Sequence, residues 1–422
     1  MANNLLTPIL EGGIRSANFF NGRLLSSEDL NLEKSANRDA RKRLGRALGD
    51  GVAFGLEVTQ SSGVSTIDQP VVTVTPGLAV NRRGQTLTLT TKTDLSLVRS
   101  LDSGQAEDNT FDDCIPPTPD VYVAGAGVYL LVVCPASAKE GRAPVGGLGN
   151  TISSCNTKYT VECVQFRLIK LDLSDHDLAD VAHLRNRLAY KCFGVTETSF
   201  TDYVSNPFGT HEPGYGVLDD LRPSVLTDCD VPLALLFWTL AGGIRFIDMW
   251  GVRRRISPPP VGDSWLSLAS ARRLIEGESM FLQFEDQIEE MLLDPNQNAG
   301  SIAATDRFQY LPPVGILPLT TDRFPRGFHT DLFFDRIVHH PIVHIEGARV
   351  EALVRAALPY PPIELNSGVM IWIYQVRENE QASAKGAQMN AVQPYLIFTT
   401  GHRAYMGDPH FDVNRWGFSN WA

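Results

Sequence analysis

At 422 residues the chain exceeds the roughly 250–300 residues that one hydrophobic core organises, so two to four domains are expected. Its 43% hydrophobic content is ample for burial, and 20% charged residues with 26 Pro and 35 Gly exclude a disordered or collagen-like chain. A formal net charge of −11 argues against nucleic acid as the main partner, because such binders present a basic patch on a basic domain.

The first element is Phe19-Phe20-Asn21-Gly22-Arg23-Leu24-Leu25. Asn21-Gly22 is a strong turn dipeptide, since both residues tolerate positive φ, and Phe19 and Phe20 before it form a large apolar anchor. This chemistry describes docking rather than a reaction centre. Ser26 and Ser27 can cap the helix that follows, with Glu28 and Asp29 in its first turn. Leu30, Ala36, Ala40, Leu44 and Leu48 recur at near-helical spacing as one narrow apolar stripe, and Gly49 and Gly51 end it. Lys34, Arg38, Arg41, Lys42, Arg43 and Arg46 on that helix face only Glu33 and Asp39. A solvated basic face is one reading, and an electrostatic seat for an acidic neighbouring subunit, carried by Arg41 and Arg43, is the other. Val72, Val74, Leu78, Val80, Leu87 and Leu89 then alternate with polar residues, so residues 1–98 read as a helix packed on a small β-sheet.

Residues 99–260 read as a β-rich middle domain. Its first twenty residues are polar, acidic and proline-rich, as suits a boundary; residues 121–133 and 160–173 read as buried strands. Gly146-Gly147 and Gly149 between them read as a flexible loop, because neither an incoming strand nor a following Lys-Ser/Thr pair makes them a phosphate cradle. Residues 175–190 read as an amphipathic helix with His176, Asp180 and His183 on its polar face, a spacing compatible with a metal site but ordinary for surface histidines. Ala241-Gly242-Gly243 predicts a hairpin between strands at 231–240 and 244–249. Arg253-Arg254-Arg255 follows, either as a guanidinium clamp for an anion or carboxylate at an interface or as internal ion pairing and exposed charge.

Residues 264–293 carry the longest helical pattern, about thirty residues and ~45 Å, longer than a small domain needs, so the helix bridges modules or packs on another chain. With the proline-rich strap Tyr310-Leu311-Pro312-Pro313, suited to docking on an aromatic surface, it makes a third unit, residues 261–328. Residues 329–422 read as an α+β module, with a helix at 348–358 and strands at 369–376 and 395–400 around a polar loop at 378–391. Trp416 and Trp421 near its end point to packing into a partner or back onto the domain. The fold class expected is α+β, several modules of mostly antiparallel sheet with packed helices and one long helix.

Catalytic motifs are missing. His339-His340 and His344 form the densest histidine cluster, but Pro341 opposes a shared helical face and no Glu stands beside His340, so the metalloprotease reading fails. His402, Asp408, His410 and Asp412 suit turn capping around Gly407-Asp408-Pro409. No nucleophile elbow, phosphate loop or dinucleotide fingerprint occurs. No catalytic residue, cofactor or metal is therefore expected. Cysteines 114, 134, 155, 163, 192 and 229 lack paired spacing and are expected to be reduced, in a chain made in the cytoplasm without a signal peptide. No run approaches the ~18 apolar residues of a membrane span, so no direct membrane insertion is expected.

Several short motifs fall in series. They are Phe19-Phe20-Asn21-Gly22-Arg23-Leu24-Leu25 with Ser27-Glu28-Asp29-Leu30, then Gly51-Val52-Ala53-Phe54-Gly55-Leu56-Glu57-Val58, then Pro76-Gly77-Leu78-Ala79-Val80 with Gly84. Val231-Pro232-Leu233-Ala234 follows with Ile247-Asp248 and Val252-Arg253-Arg254, then Tyr310-Leu311-Pro312-Pro313-Val314-Gly315, and Phe411-Asp412-Val413-Asn414-Arg415-Trp416 at the end. The series resembles a family associated with contractile phage tails, whose members accompany phage-like contractile injection systems as accessory baseplate or particle-decorating proteins. The resemblance implies a non-enzymatic structural subunit attached at or near the baseplate, assembled in the cytoplasm with other particle proteins, in symmetric multiple copies or as a homo-oligomer. It transfers no active site. The candidate interaction residues remain Phe19, Phe20, Arg41, Arg43, Arg253, Arg254, Arg255, Trp416 and Trp421. The competing readings are a fibre or receptor-recognition module for a surface glycan or membrane-bound partner, and a metal-dependent hydrolase built on the histidines at 339–344.

Overall fold

The computed structural model describes residues 13–63, 65–67, 69–97, 126–144, 155–173, 178–194, 216–222, 224–257, 271–384 and 392–400. The fold is α+β, with sheets that are antiparallel except at one strand pair.

Helix α1 (Ser27–Leu48) starts at a capping box: Ser26 Oγ accepts from the Asp29 amide at 3.1 Å, and the Asp29 carboxylate accepts from the Ser26 amide at 3.2 Å. These bonds hold the Asp29 carboxyl below its ordinary range. The helix is moored almost without side chains. A Cβ on Gly45 would stand 2.1 Å from the Gly84 carbonyl oxygen, so two glycines let helix and turn touch backbone to backbone. Only Ala36 and Gly45 of α1 are buried, and the stripe of Leu30, Leu44 and Leu48 faces outward instead of onto the sheet.

Strands β1 (Gly51–Gly55), β4 (Gly77–Val80) and β5 (Thr86–Leu89) form one three-stranded sheet, and β2 (Val58–Gln60), β3 (Val71–Val74) and β6 (Thr93–Ser96) form another. Next comes a four-stranded sheet in the order β10 (Gly243–Asp248), β9 (Val231–Thr239), β7 (Gly127–Pro144), β8 (Cys155–Lys170). Alternation along β7 decides which layers it joins. Tyr129, Leu131 and Val133 share a core with Val52, Leu56, Val72 and Val74 of the first module. Val128, Leu130 and Val132 face the other way, onto Leu184, Leu188 and Cys192 of α2 (Val181–Phe193). The short α3 (Val217–Leu221) closes the edge of that second core. The polar segment expected to be a loop after residue 136 instead continues β7 to Pro144, because β8 supplies its ladder partners through Cys155.

The C-terminal half is built on α4 (Ala271–Leu293) and the sheet β12 (Val314–Pro318), β16 (Tyr395–Thr399), β15 (Trp372–Val376), β13 (Val343–Ile345). β13 runs parallel to β15. One sheet face carries Leu317, Ile373, Leu396 and Phe398 onto Phe284 and Ile288 of α4 and onto Phe308, Phe328 and Phe333, the last in α5 (Thr330–Phe333). Each such buried side chain contributes about 1.5–3 kcal/mol relative to exposure. The other face packs on Leu353 and Ala357 of α6 (Val350–Ala357). The two-residue strands β11 (Tyr310–Leu311) and β14 (Ile363–Glu364) pair beside it. Half of the loop expected at 378–391 is helix α7 (Arg377–Ala384), where Asn379 accepts from the Tyr395 amide at 3.1 Å and donates to the Gln393 carbonyl at 3.1 Å. Those tertiary bonds hold a polar segment with no apolar stripe of its own. The described part of the long helix starts at 271, so residues 264–270 of its expected span lie outside the described residues.

Candidate functional site: a buried junction and an exposed N-terminal face

Three elements from different parts of the chain meet at one guanidinium. Arg185 of α2 donates through Nε to Asp248 Oδ2 at 2.9 Å and through its terminal nitrogens to Asp286 and Glu290 of α4. Asp248 ends β10 and has no solvent exposure; it also accepts from Gln283 Nε2 at 2.9 Å and from the Gly251 amide at 2.8 Å. Burial works against the Arg185 charge, but the three carboxylates outweigh it and raise its pKa. Burial raises the Asp286 carboxyl, with Arg185 opposing. Beside this network Tyr190 of α2 stacks on Tyr310 of the strap, with ring centroids 5.1 Å apart, and Met280 of α4 joins them. The strap's aromatic seat is therefore within the chain.

The arginine triplet reinforces the same junction. Arg253 is buried and donates to the carbonyls of Leu56, at 2.9 Å, and Gly55. Leu56, between β1 and β2, has φ +56°, a left-handed conformation that costs a branched residue on the order of 1 kcal/mol and is held by Arg253 and by its own amide's 3.3 Å bond to the Pro76 carbonyl. Arg254 donates to the Trp250 carbonyl at 3.0 Å and lies 4.6 Å from the Phe193 ring centroid, while its own carbonyl accepts from the Val52 amide at 2.8 Å. Arg255 is more exposed and pairs with Glu278 of α4 at 2.9 Å. The triplet thus links β1, the end of β10, α2 and α4.

The second feature is a surface. Phe19 and Phe20 are 53% and 64% exposed beside the Asn21-Gly22 turn, where the Arg23 amide donates to the Phe20 carbonyl at 3.2 Å. Leu24 is 93% exposed, and Leu25, Leu30, Leu44 and Leu48 are exposed with it. So many large apolar side chains exposed in one N-terminal segment suit an interaction surface, whereas single ones are ordinary. Arg41 and Arg43 are exposed on the same helix, and Arg38 pairs with Glu162 of β8.

The histidines make local contacts. His183 Nδ1 lies 2.9 Å from Asp180 and its Nε2 lies 2.9 Å from the Thr305 carbonyl. His344 Nδ1 lies 2.9 Å from Glu380, and His340 stacks on Trp372 with centroids 3.6 Å apart. Among the described residues no group of three or more His, Cys, Asp or Glu is placed to hold a metal ion, and no helix is long and apolar enough to cross a membrane. Cys134, Cys163 and Cys192 keep their thiols, but Cys229 is disulfide-bonded, which corrects the expectation that every cysteine is reduced. Trp416, Trp421, His176, the glycines at 146–149 and the cluster at 402–412 lie outside the described residues.

Reading by motif missed Arg185, Gln283 and Asp286. Their only signal in the sequence is a polar or charged side chain on helix faces that also carry apolar residues, and pairing across a hundred residues has no local signature.

No protein-family model matches the sequence, and no curated protein matches it. Among solved structures the chain is similar to TssK in a crystal structure, with 8% identity and TM-score 0.26 over 67% of this chain and 50% of that one. It is also similar to a chain of the baseplate complex from the type VI secretion system, with 11% identity and TM-score 0.25 over 67% of this chain and 71% of that one. A chain of the type VI TssK-TssF-TssG baseplate subcomplex is similar at 11% identity and TM-score 0.24, over 66% of this chain and 72% of that one. This chain thus spans half the length of the TssK chain it matches.

Proposed function

We propose that the protein is a non-enzymatic structural subunit of a phage-tail-like contractile injection particle, attached at or near the baseplate and assembled there with other particle proteins. The observation that carries the reading is the run of exposed apolar side chains along the N-terminal segment and α1, Phe19, Phe20 and Leu24 ahead of the helix and Leu44 and Leu48 with Arg41 and Arg43 towards its end. Covering one such side chain contributes about 1.5–3 kcal/mol, enough for a modest contact that many copies on one particle convert into firm attachment. The serial motif resemblance supplies the kind of particle. The rigid junction around Arg185 suits a part that transmits load between its halves.

The test pairs Phe19→Ala/Phe20→Ala with Leu44→Asp/Leu48→Asp. Both sets change exposed side chains, so thermal unfolding should stay within about 1 kcal/mol of wild type while incorporation into purified particles falls. Particles that contain no wild-type protein by mass spectrometry, or that take up both variants at the wild-type level, would sink the reading.

A further inference from the structure

The hairpin of β7 and β8 is longer than the sheet that holds it. β7 pairs with β9 only as far as Val133, then continues to Pro144 paired with β8 alone among the described strands. At ~3.4 Å per residue that two-stranded arm projects by roughly 35 Å. β8 ends the sheet order, so its other edge has no strand partner among the described residues. Residues 157–163 on it are all exposed, Tyr159 at 54% and Val161 at 39%. The two strands of the arm differ as edges. β7 carries Pro135 and Pro144, which have no amide to donate, and Gly141 at φ +71°. β8 runs Thr157-Lys158-Tyr159-Thr160-Val161-Glu162 without Pro or Gly, strand-forming residues along an open row of amides and carbonyls.

Alternation gives that edge two unlike faces. The register carries Tyr159, Val161 and Cys163 onto the face of Glu140, Ala138 and Ala136, the same face on which Val128, Leu130 and Val132 meet α2. Lys158, Thr160 and Glu162 share the other face, where Arg38 of α1 reaches Glu162. Past α2 the apolar stripe thus runs on through Ala136, Ala138, Val161 and Tyr159, with Lys158 Nζ 4.9 Å from the Tyr159 ring centroid. The arm's charges nearly balance, Lys139, Arg142 and Lys158 against Glu140 and Glu162, so charge does not select what it binds. A nucleic acid or a lipid surface offers no row of backbone groups. An extended strand does, and it sets its own side chains beside Tyr159 and Val161.

We infer that the outer edge of β8 over residues 157–163 takes an extended strand of a different protein, apolar on the Tyr159 side and polar on the Lys158 side. A second copy of this chain fits the edge less well. Antiparallel pairing of β8 with β8 about Thr160 keeps both polar faces on one side and sets the two Glu162 residues roughly 15 Å apart. Each is tied to an α1 that carries exposed Arg41, Arg43 and Arg46 against Asp39, so like charges meet. The strand site uses neither Phe19 nor Phe20 and stands whether or not the protein belongs to a particle.

The probe is a fluorophore-labelled octapeptide of alternating Thr and Val, titrated with the full chain and read by anisotropy, with a Gly-Ser octapeptide as control. Wild type should bind the Thr-Val peptide saturably and the Gly-Ser peptide roughly tenfold more weakly. Tyr159→Thr/Val161→Thr, at exposed positions and with strand propensity kept, should weaken binding by roughly tenfold while thermal unfolding stays at wild type. Hydrogen exchange on the wild-type complex should show new protection within residues 157–163. Wild type that does not bind the Thr-Val peptide, equal affinity for the two peptides, undiminished binding by the double variant, or protection elsewhere in the chain overturns the inference. Sedimentation velocity of wild type alone covers the other occupant: a dimer that the Thr-Val peptide dissociates gives the edge to a second copy and overturns the inference as well.

Discussion

Arg185 Nε lies 2.9 Å from Asp248 Oδ2, and both side chains are buried where α2, β10 and α4 meet. The pair couples the β-rich half to the C-terminal half through one charge, because the same guanidinium holds Asp286 and Glu290. Removing the cation leaves Asp248 buried without a counter-charge. Arg185→Met should therefore cost about 3–5 kcal/mol in denaturant unfolding. Adding Asp248→Asn to that variant should recover part of the loss, since it removes the orphaned charge. A wild-type midpoint for Arg185→Met would show that the network contributes nothing.

Glu285 of α4 is the group that should make stability depend on pH near neutrality. Its Oε1 accepts from the Ile316 amide at 2.9 Å, on the outer edge of β12. Burial pushes its carboxyl from 4.5 up to about 7, the Ile316 bond pulls it down and Glu289 pushes it up again. The folded state then binds more protons than the unfolded state between those values, so stability falls as pH rises through the window and levels off above it. The expected loss from this group between pH 5 and pH 8 is roughly 2 kcal/mol, since each tenfold gain in proton affinity on folding corresponds to about 1.4 kcal/mol. Glu285→Gln keeps an acceptor for Ile316 and should flatten that part of the profile in parallel melts. Equal slopes for wild type and variant would rule Glu285 out.

Gly277 should resist a substitution that helix propensity favours. In an isolated helix Gly→Ala gains about 1 kcal/mol. Here a Cβ would stand 2.0 Å from the Leu358 carbonyl oxygen, a backbone atom at the end of α6 that cannot rotate away. Gly277→Ala should destabilise by about 1–3 kcal/mol, read from denaturant midpoints. A more stable variant would mean that α4 and α6 are not held at this separation.

Much of the fold could be read locally. The Ser26 cap, the Gly49 stop and the hairpin at Gly242-Gly243 follow from φ preferences and orphan backbone donors, and they place α1, β9 and β10 within a residue or two. The candidate site was half legible. Phe19 and Phe20 stand exposed beside a turn as their chemistry suggests, and the strap finds an aromatic seat at Tyr190. The outward stripe of α1 was not legible, because a 3.6-residue period says that a helix has an apolar side and not what covers it. Here the covering contact goes to Gly45 and Gly84 instead.

Residue chemistry acting over a few positions set the local elements: capped helices, glycine turns, alternating strands, and a basic helix in an acidic chain. Tertiary structure decided the rest. It turned Arg253 and Arg254 inward to bind backbone carbonyls, extended β7 into an arm because β8 supplied partners, and gathered Arg185, Asp248, Gln283 and Asp286 around one charge. The reason is physical. Propensity and capping act over a few residues, whereas the desolvation of an ion is settled only by the groups that folding brings within hydrogen-bond reach, however far apart they lie along the chain.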